Sequence, residues 1–356
     1  MKKHIVFLLH GVGKQQENWS KEIVENLTTK ADKIISENQL EPFYEVEYVE
    51  LFYSDLLDQN MQIMIDGGEN FGEVNEFLKK GLEERNNPDF KPATTKDKIA
   101  AGLRDYALDV PTYALNPDFT KALLVRLAEK VTKTIADNSD AVFSFISHSL
   151  GTKVSFDLLH KLYVGQEYYS VTEAGKPIIG TPSFRGYYQF ASVAWVIGLF
   201  DYSTKTPNDS HVRVKRKEAT YEQGGVISNF YRIYNNNFDP IAWIGKSDKI
   251  EPRVYSTLNK LDYIDRAWMH DFNCYIDHPE VHLKMVEDFY RVKINEDVKQ
   301  QTIEAYNKSE KNLKHDFKDF FDELKIILNE GTEAQNKLAF IKSIKTIIDK
   351  LKTISE

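Results

Sequence analysis

The stretch Ala141–Tyr163, AVFSFISHSLGTKVSFDLLHKLY, decides the fold. Ala141–Ile146 is a short apolar run rich in β-branched and aromatic residues, which reads as a buried strand. A helical pattern begins near Thr152, and only SHSLG, Ser147–Gly151, lies between. A strand and a helix joined by so short a turn bring their backbones almost into contact. Small residues are therefore needed two positions before and two after the apex, and Ser147 and Gly151 meet that need around Ser149. The helix start behind Ser149 supplies partial positive charge and unsatisfied amides, among them that of Leu150.

Upstream, Ile5–Gln16 reads IVFLLHGVGKQQ, a buried strand ending in a glycine turn. A phosphate loop of the G-x-x-x-x-G-K-[ST] type would place glycine at position 8 and a hydroxyl at position 15, where this chain has Leu8 and Gln15. The dinucleotide pattern G-x-G-x-x-G fails at Gln16. What remains is a glycine turn at the end of a strand, in which Gly11 and Gly13 let the main chain approach a reacting carbonyl so that a backbone N–H can point at a developing oxyanion. His10 and His148 flank these two turns and are expected to shape the pocket together with Gly11 and Gly13.

A serine hydroxyl becomes nucleophilic when a base takes its proton, and the base needs an acid to orient it. On a strand-turn-helix elbow of this kind the order along the chain is Ser, Asp or Glu, His. Asp239, in NFYRIYNNNFDPIAW, follows a strand at its carboxyl end, and Asp201 is the competing acid. His270, His278, His282 and His315 follow Asp239. His270 occupies a loop before the last core helix, which starts after Pro279, and is the expected base, with His278 next.

HGVG, SHSLG, the segment DVPTYALNPDFTKALLVRL (Asp109–Leu127), NFYRIYNNNFDPIAW and HDFNCYIDHPEV together resemble the lipase-like branch of the α/β-hydrolase superfamily, in particular serine esterases and intracellular phospholipases. The resemblance runs to about Tyr290. It implies Ser149, Asp239 and His270 as a catalytic triad, the amides of Val12 and Leu150 as an oxyanion hole, and no cofactor or metal. Ser147 stands where that family usually has glycine, and His270 precedes Tyr275 by five residues rather than about three. The Asp-Asp-His-Asp cluster of some intracellular phospholipases is missing, so the substrate does not come over with the fold.

The rest of the chain fits an α/β architecture with a mainly parallel sheet. A hydrolase core is expected over residues 1–293, with 53–110 as a cap or lid insertion of loops and short helical pieces, and 294–356 as a C-terminal helical hairpin. Ser20 is placed as the cap of a helix, and Asn116 and Pro117 as the start of another bearing Phe119, Leu123, Leu127, Val131 and Ile135. QFASVAWVIGLF (Gln189–Phe200) and SNFYRIY read as further strands, and Leu313–Leu351 as the hairpin, with a capping box at Thr332–Gln335. The net charge of −8 disfavours nucleic acid, and the basic run RVKRK reads as a solvated loop. One cysteine, Cys274, excludes an internal disulfide. Ile5–Leu9 is too short for a secretory leader, and no run reaches the ~20 apolar residues of a membrane span.

The expectation is a cytoplasmic serine hydrolase of a small-molecule or lipid ester, with peripheral lipid contact as its only relation to a membrane. Two rivals are a catalytically silent hydrolase fold used for binding, and an acyltransferase with the same triad.

Overall fold

The computed structural model describes residues 1–66, 75–92, 94–163, 184–193, 227–237, 239, 256–261, 270–308, 342 and 344–349. Six strands form one sheet, β1 (Lys2–Leu9), β2 (Tyr44–Leu51), β3 (Val142–His148), β4 (Phe184–Phe190), β5 (Ile227–Asn236) and β6 (Ser256–Leu261). Their order is β2-β1-β3-β4-β5-β6, and every pairing is parallel. Parallel strands need crossover connections, and these put helices over the sheet so that strands are buried on both sides. Accordingly, Ile5, Val6, Phe7, Leu8 and Leu9 of β1 are all inaccessible to solvent.

Among the described residues the helices are α1 (Lys21–Glu37), α2 (Ser54–Asp66), α3 (Asn75–Asn86), α4 (Thr95–Leu115), α5 (Pro117–Asp137), α6 (Leu150–Tyr163), α7 (Phe272–Asp277), α8 (Pro279–Tyr290) and α9 (Glu296–Asn307), and residues 342 and 344–349 are helical as well. From β1 the chain moves one way to β2, then crosses back to β3 on the other side of β1. The crevice at the carboxyl ends of β1 and β3 is thus a topological switch point, where open α/β sheets hold their ligands. Register aligns those ends, with Leu9 opposite Ser147, His148 opposite Phe190 and Phe190 opposite Tyr234.

Several elements differ from their sequence reading. Residues 53–110 carry α2, α3 and most of α4 rather than loops with short helical pieces. Leu57, Met61, Leu82, Leu103 and Tyr106 from these helices belong to the same hydrophobic core as β1. Helix α4 runs through Pro111, although proline lacks the N–H that a helix interior uses. The Thr112 hydroxyl donates to the Leu108 carbonyl at 2.8 Å within that turn. The strand placed at Gln189–Phe200 ends at Phe190, where Ala191 takes a φ of +49° and turns the chain; residues 194–200 lie outside the described set.

Ser20 flanks α1 without capping it, since its hydroxyl donates instead to Glu50 at 2.8 Å. Asn116 does cap α5, its side chain accepting from the Phe119 N–H at 3.1 Å, with Pro117 as the first helical residue. Most of the expected hairpin, Thr332–Gln335 included, lies outside the described residues. Of its apolar positions, Ile344 and Ile348 are buried in the main core together with Ile347.

Candidate active site

Ser149 occupies the single residue between β3 and α6, with a φ of +51°. That left-handed conformation is costly for a residue with a Cβ and persists where surrounding bonds enforce it. Here the Ser149 N–H donates to the Phe190 carbonyl at 2.9 Å, and its own carbonyl accepts from the Thr152 N–H at 2.9 Å and the Thr152 hydroxyl at 2.6 Å. Strand β4 and the first turn of α6 therefore pin the apex from both sides.

Two glycines let the elbow approach β1. A Cβ on Gly151 would stand 2.3 Å from the His10 carbonyl oxygen and 3.0 Å from that of Leu9. A Cβ on Gly11 would stand 2.5 Å from the Ser149 Cβ and 3.2 Å from its Oγ. The 11–13 turn thus lies directly against the Ser149 side chain. Ser147 is buried, and its hydroxyl meets that of Ser155 at 2.8 Å on the inner face of α6, which gives the hydroxyl a partner where glycine would offer none.

The other two candidate residues converge on Ser149. Its Oγ lies 2.7 Å from Nε2 of His270, and Nδ1 of His270 lies 3.0 and 2.9 Å from the two oxygens of Asp239. A carboxylate can only accept, so Nδ1 carries the proton and Nε2 is left to accept from the Ser149 hydroxyl. Asp239 follows β5, at its carboxyl end, and His270 directly precedes α7, so three separate parts of the chain meet here. Ser149, Asp239 and His270 are almost wholly buried.

Tyr275, on α7, supplies a contact that sequence reasoning did not assign. Its hydroxyl donates to Asp239 Oδ2 at 2.5 Å and accepts from the Asn236 N–H at 3.3 Å. The only hint in the sequence is Tyr275 itself, five residues after His270. His278, the other candidate base, is engaged elsewhere: it caps α8 by accepting from the Glu280 N–H at 3.3 Å. Asp201 and His315 lie outside the described residues. His282 bonds through Nδ1 to the Ile276 carbonyl at 3.1 Å.

His10 and His148 are both neutral. Burial pushes the His10 imidazole down to about 4, although its bond to the Gly11 carbonyl at 2.8 Å opposes this. The ring stacks on Tyr53 with centroids 4.0 Å apart, and the Tyr53 hydroxyl donates to the His10 carbonyl at 2.6 Å. Burial first, and the neighbouring His270 second, hold His148 well below its ordinary value. Its ring is stacked on Phe272 at 5.1 Å and tilted against His270 at 4.8 Å. Both histidines thus serve as packing surfaces around the reacting groups.

Val12 sits between the two glycines, partly buried against the core, and Leu150 is the first residue of α6, so its N–H has no intrahelical partner. Gly13 takes a φ of +93°. Its N–H donates to Oδ2 of Asp109 at 2.7 Å, a contact from α4 that was not anticipated. Asp109, Asp105 and Asp58 surround the Arg85 guanidinium at 2.6, 3.9 and 3.1 Å. This acidic cluster therefore already holds a cation of its own, and no metal-competent group of His, Cys, Asp and Glu occurs among the described residues. Burial pushes the Asp105 carboxyl up to about 7 despite the nearby Arg85.

Two clefts, about 590 Å³ between α1, β2 and α5 and about 690 Å³ between α1, α8 and α9, contain none of the three converging residues. No protein-family model matches this sequence, and comparison with curated proteins finds no significant match. Among the described residues no helix is long and apolar enough to cross a membrane.

Proposed function

We propose that this protein is a serine hydrolase that cleaves a carboxylic ester through an acyl-enzyme, on a fold of the α/β-hydrolase type. The observation that carries the reading is the unbroken chain Ser149 Oγ, His270 Nε2, His270 Nδ1, Asp239, with Ser149 at the apex of a left-handed strand-to-helix turn. Parallel strand order, the switch point between β1 and β3 and the acid at the end of β5 support the same reading. In it, Ser149 Oγ attacks the ester carbonyl carbon while Nε2 of His270 takes the hydroxyl proton. Asp239 holds the tautomer and balances the imidazolium that forms.

The amides of Val12 and Leu150 receive the oxyanion, and His270 then returns the proton to the leaving alcohol. Water oxygen then attacks the acyl carbon while Nε2 takes a proton from it, and Nε2 passes that proton to Ser149 Oγ as the acyl C–Oγ bond breaks, releasing the carboxylic acid and free Ser149. Every step is served by the chain's own residues. The substrate class is a small-molecule or lipid ester met in the cytoplasm, with residues 53–110 forming one wall of the site.

The test is covalent labelling of the purified protein with a fluorophosphonate probe, with the adduct located by peptide mass spectrometry. Labelling at Ser149 that disappears in Ser149→Ala is expected. A folded wild type that stays unlabelled, even after prolonged incubation with detergent or lipid present, sinks the proposal and favours a silent fold.

A further inference from the structure

Side chains bind several main-chain polar atoms in and beside the turn that carries Val12. The Gly11 carbonyl meets His10 Nδ1 at 2.8 Å, and the Gly13 carbonyl accepts from the Ser54 hydroxyl at 3.3 Å. The Gln15 N–H donates to that same hydroxyl at 3.0 Å. The Gly13 N–H is the one bound by a charged group, Asp109 Oδ2 at 2.7 Å. Asp109 has no solvent exposure, and its other oxygen accepts from Arg85, whose side chain is only 2% exposed, at 2.6 Å.

A buried carboxylate is expensive unless its charge and lone pairs are met, and here one oxygen meets a cation while the other meets a main-chain donor. Apolar residues of similar size would keep α3 and α4 together at least as well. Packing alone therefore does not account for a charge aimed at the Gly13 amide. That amide is one residue from Val12, and Gly11, on the other side of Val12, faces Ser149 Oγ.

We propose that Asp109, braced by Arg85, is a positioning residue: its bond to Gly13 fixes the 11–13 turn so that the Val12 N–H points at the oxyanion formed on Ser149. This rests on the serine-hydrolase reading above. Helices α3 and α4 then act in the chemistry by presetting a donor before substrate arrives, and pre-set donors avoid reorganisation as charge develops.

The experiment compares wild type, Asp109→Asn and Asp105→Asn for the rate of inactivation by a fluorophosphonate, separating the maximal rate from the half-saturating concentration. Loss of one oxyanion donor costs roughly 100- to 1000-fold in other hydrolases, and its misalignment is expected to cost roughly 10- to 100-fold. Asp109→Asn should therefore lower the maximal rate by that factor with little change in half-saturation. Asp105→Asn, which alters the same cluster but leaves the Gly13 bond in place, should label as wild type does.

An equal fall in both variants, or a fall that tracks their melting temperatures, would mean a merely structural cluster and overturns the proposal. So does a folded Asp109→Asn that labels at the wild-type maximal rate. If Asp109→Asn does not fold, Arg85→Lys, which keeps the charge and loses the fork, should show an intermediate fall, and a wild-type rate there overturns the proposal. A wild type that does not label at Ser149 overturns the parent reading, and this inference with it.

Discussion

Asp239 is the residue on which the geometry of the site depends most, because it alone decides which nitrogen of His270 carries the proton. Asp239→Asn can present its amide to Nδ1 and so favour the tautomer that faces Ser149 with an N–H. Turnover should then fall by several orders of magnitude, roughly 10⁴-fold, with the melting temperature little altered. Steady-state kinetics on a p-nitrophenyl ester, beside a thermal melt, checks this. Tyr275→Phe removes the 2.5 Å bond to Asp239 and leaves the tautomer intact, so a much smaller loss is expected, within about tenfold. Ser149, Asp239 and His270 could be picked out in the sequence because Ser149 stands in a small-residue turn between a strand and a helix, Asp239 just past the end of a strand and His270 in a loop before the last core helix, in that order along the chain. The Asp239–Tyr275 bond was not, since nothing local to Tyr275 marks its partner thirty-six positions away.

Among the elements, the junction of β3 and α6 has no room for a Cβ at position 151. Gly151→Ala would force its Cβ to 2.3 Å from the His10 carbonyl oxygen, which is backbone and cannot swing away. We expect a loss of about 1–3 kcal/mol in urea unfolding, or more if α6 cannot shift, together with impaired labelling of Ser149. This element pair was readable because a strand, a small-residue turn and a helix leave an unmistakable pattern. Helices α2–α4 were harder, because residues 53–110 show no sustained helical period, and α4 runs on through Pro111, where it simply forgoes one donor. The aromatic run after Gln189 offered no period to show that the strand stops at Phe190.

At the scale of the described molecule, helices pack over the sheet, and several histidines are buried or partly buried in uncharged form. His4, His10, His278 and His282 are each pushed down to about 4, in every case mainly by burial. In the unfolded chain they titrate near 6.5, so between about pH 6.5 and pH 4 the unfolded state binds more protons. Stability contributed by these groups is complete above that window and is lost as pH falls through it. Asp105, pushed up to about 7, acts in the opposite sense, as do Asp58 and Glu280, whose carboxyls burial also raises, but these three carboxyls face five depressed histidines once His148 is included. Unfolding free energy measured by urea titration should therefore drop steeply from pH 6.5 to pH 4. His4→Gln should flatten the profile, because His4 bridges the Phe289 carbonyl and the Ser144 hydroxyl as a neutral ring. A profile unchanged by that substitution would mean that His4 titrates normally in the fold.

Ile344, Ile347 and Ile348 lie in the same core as β1, although more than three hundred residues separate them along the chain. A protein emerges from the ribosome from its amino end. Every described strand, and all three residues that meet at Ser149, are made before these isoleucines exist. The part of the core that these three isoleucines fill is therefore completed only after position 348 has been made.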